Sequence, residues 1–158
     1  MSRAFTKEDD AGDDLVERPI PPGPNYVTRR GFDFLKNEAI RLVAQRKETA
    51  AAGGDLKPID RDLRYLEARI SGAIIVPKGK GGADAEARFG ARVTIEDETG
   101  RSKTFQIVGE DEARTDDDKF LAWSAPLVQA MLGAKAGDKI SWQGLEGVTQ
   151  YRIVKVEY

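Results

Sequence analysis

The sequence of 158 residues contains no cysteine and no histidine. Zinc centres, disulfide frameworks, thiol nucleophiles and histidine-dependent triads are therefore excluded, because their ligands or catalytic groups are missing. The sequence also lacks any run of 18 apolar residues, and its first 14 residues are acidic without an apolar core, which argues against a membrane span or a secretory signal. We expect a cytoplasmic protein without a cofactor, a metal site or a membrane partner.

What is present is a nearly balanced set of charges, with 25 Lys and Arg against 27 Asp and Glu. This composition is typical of a globular chain and is not basic enough to bind nucleic acid through bulk charge. The charges are unevenly placed: three basic and six acidic residues lie in 1–25, ten and seven in 26–72, and twelve and fourteen in 73–158. Residues 1–25 also hold four prolines between positions 19 and 24, and predict a flexible, acidic, proline-rich leader.

A helical hairpin is predicted over residues 26–76. Thr28 is a candidate N-cap for the first helix, whose apolar face follows three- and four-residue spacing through Phe32, Leu35, Ala39, Leu42 and Val43. After a stop at 53–55, Pro58 suits a helix start, and the second helix carries a seam of Ile59, Leu63, Leu66 and Ile70. Two apolar stripes joined by about five residues are expected to pack as an antiparallel pair.

The charged side chains of this hairpin allow two interpretations. Its basic residues are interspersed with acids and form either a solvated face or a docking surface for an acidic partner; they are Arg41, Arg46, Lys47, Arg61, Arg64 and Arg69. Near the turn lie Asp55, Asp60 and Asp62. These carboxylates either cap the second helix or are delivered by a projecting tip into another molecule's cavity.

Beyond a Gly-rich linker at 77–88, the pattern changes to short strands. Strand-like segments occupy 91–96, 104–108, 139–143 and 149–157, with a hairpin turn at 97–100. Pro126 opens one short helix that ends near Gly133. The predicted fold class is α+β, with an N-terminal antiparallel helical hairpin and a C-terminal antiparallel β domain over 89–158. Trp123 is either a core residue or part of an exposed rim that binds a protein.

Six segments occur in an order and spacing that are specific to one family. They are 25–32 (NYVTRRGF), 59–66 (IDRDLRYL), 89–93 (FGARV), 105–112 (FQIVGEDE), 125–132 (APLVQAML) and 137–138 (GD). Together they resemble the Gre family of transcription elongation factors, and most closely its GreB-like branch. The resemblance covers nearly everything from residue 18 to residue 158.

The resemblance implies an N-terminal coiled coil, an FKBP-like C-terminal domain without isomerase activity, and RNA polymerase as the partner. In such factors the C-terminal domain docks at the rim of the polymerase secondary channel. The coiled coil enters that channel, and acids at its tip help to hold a catalytic magnesium and a water with which the polymerase cuts backtracked RNA. Nucleic acid would be met only indirectly, within the transcription complex. The docking edge corresponds here to Trp123, Ser124, Pro126 and Leu127, with Ala125 in place of the family's serine.

The chain departs from the family where the cleavage activity would reside. The family's tip is an acidic Gly-Asp-Leu-Ser-Glu-Asn-like segment, whereas residues 54–59 read GDLKPI. Aligning the second helices removes about twenty residues from the hairpin, or roughly 15 Å from each arm. A carboxylate that stops about 5 Å short cannot bind an ion held at about 2.1 Å. We expect a monomeric, non-enzymatic regulator without catalytic residues; the alternative is a cleavage factor in which Asp55 and Asp60 reach the polymerase's metal.

Overall fold

The computed structural model describes residues 15–115 and 117–158, so most of the predicted leader, residues 1–14, lies outside the described residues. The first part of the fold is a helical hairpin with a small ribbon at its base; its elements are β1 (Asn25–Val27), α1 (Arg29–Ala51), α2 (Lys57–Ser71) and β2 (Ala73–Ile75). The second part is a β domain of β3 (Arg92–Asp97), β4 (Ser102–Val108), α3 (Glu110–Ala113), β5 (Phe120–Ala122), α4 (Pro126–Met131), β6 (Lys139–Gly144) and β7 (Gly147–Glu157).

The two long helices lie where the sequence predicts them. Thr28 is the N-cap of α1, since its Oγ1 accepts the N–H of Gly31 at 2.8 Å. The seam between the helices is confirmed as well, because its central members are buried: Leu35, Leu42, Ile59 and Leu66. The prediction was wrong for Val43, which is 58% exposed. A single facing helix of 15 residues covers only a narrow stripe of α1 and leaves this neighbouring position in solvent.

The base of the hairpin is closed by a ribbon that the sequence analysis missed. β1 pairs in parallel with β2, with Asn25 opposite Ala73 and Val27 opposite Ile75. Strands of three residues are too short to show a periodic pattern, so propensity gives no signal for them. The ribbon joins the chain before α1 to the chain after α2.

The predicted flexible leader requires a correction in its C-terminal part. Glu17 forms an ion pair with Arg64 of α2. The guanidinium of Arg18 lies 3.8 Å from the centre of the Tyr65 ring and 3.6 Å from a carboxylate oxygen of Asp62. Residues 17–18 therefore bind along α2, because the hairpin offers them opposite charges and an aromatic face.

The β domain contains one five-stranded sheet in the order β5-β4-β3-β7-β6. All neighbours are antiparallel except β4 and β5, which are parallel, so the sheet is mixed rather than purely antiparallel as predicted. β7 bulges where Thr94 pairs with Lys155 but Ile95 pairs with Ile153. The extra residue, Val154, turns outward, and this shift allows Ile153 and Val156 to face the same core.

The core of the β domain begins earlier in the chain than residue 89. Its fully buried members include Val93, Phe105, Ile107, Val128, Met131 and Ile153. Ala85 and Ala87, assigned by the sequence to the linker 77–88, are buried in the same cluster, and the N–H of Ala87 donates to the carbonyl of Ala134 at 2.7 Å. The α+β class with its N-terminal hairpin is confirmed, whereas α3 and β5 were not predicted. Within the described ranges no helix has the length and apolarity needed to cross a bilayer.

The two parts touch backbone to backbone at Gly109, the residue before α3. A Cβ added there would lie 2.5 Å from the carbonyl oxygen of Tyr26 in β1. Atoms of this kind cannot approach so closely, so only glycine allows the β domain to lie this near to β1.

We therefore expect Gly109→Ala to lower the free energy of unfolding by about 1–3 kcal/mol, since the added methyl group must displace β1. Gly81→Ala is the matched control, because a Cβ at Gly81 meets nothing within 4 Å. Denaturant unfolding of the two variants measures the difference. Equal stabilities would contradict the close packing of β1 on Gly109.

Candidate functional site

The junction between the hairpin and the β domain is built around the acidic helix α3. Asp111 accepts hydrogen bonds from the hydroxyl of Tyr65 and, at 2.7 Å, from Nε of Arg69, both on α2. The Arg69 and Asp111 side chains are only 3% and 9% exposed. Asn25 completes the cluster: its amide donates to the Arg69 carbonyl at 2.7 Å and accepts from the Arg69 guanidinium at 2.6 Å. Burial, followed by the hydrogen bond to Asp111, raises the pKa of Tyr65.

Glu112 makes the second connection, to the start of α1. Its carboxylate accepts the hydroxyl hydrogen of Thr28 at 2.7 Å and lies 2.6 Å from Nε of Arg30, while its side chain is only 6% exposed. An anion at this position is favoured by the positive end of the α1 dipole. Gly31 leaves room for it, because a Cβ there would lie 2.7 Å from Glu112 Oε2.

The third acid of α3, Glu110, connects to the predicted docking edge, where it accepts a hydrogen bond from the Ser124 hydroxyl. Ser124 and Pro126 are exposed. Trp123 and Leu127, in contrast, are half-buried and pack against the core of the β domain. The Trp123 ring meets Tyr26 edge-on at a centroid distance of 5.2 Å. Of the two interpretations of Trp123, core packing therefore describes its ring, and the exposed part of the edge is Ser124 and Pro126.

The two candidate carboxylates near the hairpin turn, Asp55 and Asp60, have different partners. Asp60 forms an ion pair with Arg46 across the hairpin, with Nε 2.5 Å from Oδ1. The hydrogen bond from Arg46 lowers the pKa of Asp60. Asp55 is exposed, and within the part of the chain that the structure describes its carboxylate accepts one hydrogen bond, from the backbone N–H of Lys57 at 3.0 Å. Asp60 thus pairs with α1 rather than capping α2, whose N-cap position is Leu56 without a side-chain bond.

Most of the positive charges on the predicted basic face of the hairpin are paired with carboxylates. Four of its six predicted members have a carboxylate partner at the surface: Arg41 with Glu38, Arg46 with Asp60, Arg61 with Asp62 and Arg64 with Glu17. Lys47 is exposed. Arg69 is not on this face at all, since it is buried against Asp111. The pairing favours a solvated, internally neutralised surface over a docking surface for an acidic partner.

Metal binding has little support from this geometry. Across 15–115 and 117–158, no group of three or more acidic side chains is placed to hold an ion. Sequence reasoning missed Tyr65, Arg69, Asp111 and Glu112 as members of the junction. The one sequence feature that pointed to them is the run of acids at 110–112, which follows an apolar strand. This run does not by itself indicate which residues the acids contact.

The fold and the junction define a protein in which a β domain holds a short helical hairpin in a fixed direction. A family model described as "Transcription elongation factor, GreA/GreB, C-term" matches residues 83–158. The transcription elongation factor GreB of Neisseria meningitidis serogroup B is 31% identical over 154 residues, covering 85% of this chain and 94% of that protein. GreA of Verminephrobacter eiseniae is 29% identical over 153 residues, covering 84% and 96%. The chain belongs to the GreA/GreB family of transcription elongation factors.

The matches to solved structures have lower sequence identity. A GreA/GreB factor from Nitrosomonas europaea matches with a TM-score of 0.43 and 22% identity, covering 87% of this chain and 100% of that one. Gfh1 from Thermus aquaticus matches with the same TM-score and identity, covering 85% and 99%.

We expect Asp111→Ala to lower the free energy of unfolding by about 3–5 kcal/mol, because it leaves the Arg69 guanidinium buried without its partner. Asp118→Ala, at an exposed position, is the control and should change stability little. Replacing both partners with apolar residues, Arg69→Met with Asp111→Leu, should recover most of the loss. Denaturant unfolding tests the set, and a loss below about 1 kcal/mol for Asp111→Ala would contradict the importance of the pair.

The Arg46–Asp60 pair gives a pH-dependent prediction. Because the pKa of Asp60 is lowered in the folded protein, its ionised carboxylate stabilises the fold above the ordinary value of 3.8. That stabilisation is lost as the pH falls through the lowered pKa. Asp60→Asn should therefore reduce the melting temperature at pH 7 by a small amount, since the pair is open to solvent, and the two proteins should converge under acidic conditions. Asp55→Asn is the control, and an equal effect of this variant would contradict the role of the ion pair.

Proposed function

We propose that this protein regulates elongation by binding RNA polymerase, with the β domain as the docking part and a hairpin too short for full transcript-cleavage stimulation. Membership of the elongation-factor family supports polymerase as the partner. In this proposal the protein acts by occupying the secondary channel of the polymerase and is not itself a catalyst. By occupying the channel mouth it would compete with longer-armed factors.

The length of the hairpin supports the proposal that it is too short for full transcript-cleavage stimulation. The 23 residues of α1 and the 15 residues of α2 extend about 34 Å and about 22 Å at helical rise. In the match to the Neisseria factor, 85% of the 158 residues, or about 134, are spread over 154 aligned positions, so about 20 positions have no counterpart here. We assign that shortening to the hairpin, since the family model matches the β domain through residue 158.

The charge arrangement at the tip is the observation that carries the proposal. Holding a magnesium ion for the polymerase needs carboxylate oxygens that are free to coordinate it at about 2.1 Å. Asp60 is bound to Arg46, whereas Asp55 has no ion-pair partner among residues 15–115 and 117–158. The exposed ammonium group of Lys57, two residues away, would repel a second cation.

The docking edge fits a protein partner in the proposed position. Ser124 and Pro126 are exposed, and the segment behind them is held by the bond to Glu110 and by the packing of Trp123 on Tyr26. A surface fixed in advance loses little conformational freedom when it binds. Since the same helix α3 holds the hairpin, docking at this edge would also determine where the tip points.

The test uses purified polymerase stalled on a backtracked transcript. We expect this protein to bind the complex and leave the RNA length unchanged, while a GreB factor with a longer hairpin, as positive control, shortens the transcript. A released 3′ RNA fragment that disappears with Asp55→Ala would contradict the proposal and support the cleavage factor.

The docking edge is checked in the same binding assay. Ser124→Arg should weaken polymerase binding by roughly tenfold or more, as expected for a charge inserted into the centre of an interface. Leu145→Arg is the control, because Leu145 is fully exposed in the β6–β7 turn and is not part of the 123–127 segment. Equal weakening by the two variants would place the contact elsewhere.

A further inference from the structure

A cleft between the hairpin and the β domain is outside the docking edge and the tip. It has a volume of about 820 Å³ and lies against the start of α1, the segment after β2 and the β3–β4 face of the sheet. A second cavity of about 520 Å³ lies against β4. Arg30, Arg92 and Gln106 line both cavities, so the two adjoin at these residues, and the pair is here called the groove. Each part has the size of a site for a small molecule, about 300–1,000 Å³.

The basic residues of the groove are less compensated than those of the hairpin face. Arg29, Lys78 and Arg92 line the first cavity, and none of them forms an ion pair with a carboxylate in the described part of the chain. Its two acids, in contrast, are paired outside the cavity. Asp33 lies 3.1 Å from Lys36, and Glu157 lies 2.6 Å from Lys155. The cavity therefore keeps an excess of positive charge.

Arg30, between the two cavities, is held in place before any ligand arrives. Its Nε is bonded to Glu112 at 2.6 Å, and its NH2 donates to the side-chain oxygen of Gln106 at 3.0 Å. Its guanidinium carbon lies 4.4 Å from the centre of the Phe120 ring. Gln106 is itself fixed by a 3.1 Å bond from its amide to the Gly90 carbonyl. The Arg30 side chain remains 56% exposed, so its outer N–H groups are available.

We propose that this groove binds a short linear polyphosphate, either free or as part of a nucleoside polyphosphate. Guanidinium groups bind phosphate oxygens through paired, charge-assisted hydrogen bonds, and here three arginines from α1 and β3 meet in one groove. Lys78 lies in the first cavity and Lys119 in the second, so basic side chains extend along both. The second cavity also holds one acid, Asp117, whose carboxylate accepts the backbone N–H of Lys119 at 3.0 Å. The apolar residues Ile75, Val76 and Pro77 form one wall of the wider cavity, where a nucleoside would fit.

This site is independent of the proposed polymerase function. A ligand in it would touch the hairpin through Arg29 and Arg30 and the β domain through Arg92. Binding would therefore oppose separation of the two parts and raise the melting temperature.

The experiment is a titration of the full chain with inorganic tripolyphosphate, followed by calorimetry and by melting temperature at about 0.15 M salt, where diffuse surface attraction is screened. We expect saturable binding that Arg92→Ala and Arg29→Ala each weaken about tenfold, the usual effect of losing a charged hydrogen-bond partner. Arg101→Ala is the matched control, because Arg101 is an exposed arginine in the β3–β4 turn, outside the groove.

Several outcomes are distinguishable. Equal affinity for tripolyphosphate and GTP supports a site that recognises phosphate groups alone. Tighter binding of GTP supports a nucleotide site in which the nucleoside contacts Ile75, Val76 and Pro77. The absence of saturable binding of either probe at millimolar concentration would overturn the inference. Equal weakening by Arg101→Ala, or tighter binding of a single-stranded RNA oligomer than of both probes, would overturn it as well. None of these results bears on polymerase binding, which is measured separately.

Discussion

The direction of the hairpin depends on the buried contact between Arg69 of α2 and Asp111 of α3. Two charges in a low-dielectric interior are expensive to desolvate, and their attraction compensates only when their remaining hydrogen-bonding groups are also satisfied. Here Asn25 and Tyr65 supply those partners. A packing that separated these two side chains while keeping them buried would leave both charges unpaired, so we infer that the contact favours this one arrangement of the hairpin on the β domain.

The helix α3 is a single turn whose three successive acids reach three different elements. Glu110 bonds Ser124 of the proposed docking edge, Asp111 bonds α2, and Glu112 bonds the start of α1. A displacement of this turn would disturb all three contacts together, since a one-turn helix has no internal freedom to absorb it. The proposed docking surface and the helical hairpin are therefore mechanically coupled through the four residues of α3. A regulator that acts by occupying a defined position requires a coupling of this kind.

The local sequence pattern was sufficient to predict the two long helices, the Thr28 cap and most of the sheet, because apolar spacing and helix caps depend on residues that are close in sequence. The junction was not predictable in this way. Arg69 is 42 residues from Asp111, and Thr28 is 84 residues from Glu112, so no short window contains both partners. The same reason applies at the tip, where the acids were identified but the Arg46–Asp60 pair, which joins two helices, was not. Val43 fits the helical spacing but has no facing side chain.

The tip pair changes how the short hairpin should be understood. Arg46 and Asp60 are 43% and 33% exposed, and a pair so open to solvent contributes little to stability. Its larger effect is electrostatic: it cancels a carboxylate where a metal-assisting factor would need one free. In the proposed function, reach and charge act in the same direction, because a longer hairpin with the Arg46–Asp60 pair intact would still offer only Asp55 of the two candidate acids, beside Lys57. Restoring the length alone would bring the tip closer to a metal ion without giving it the second ligand.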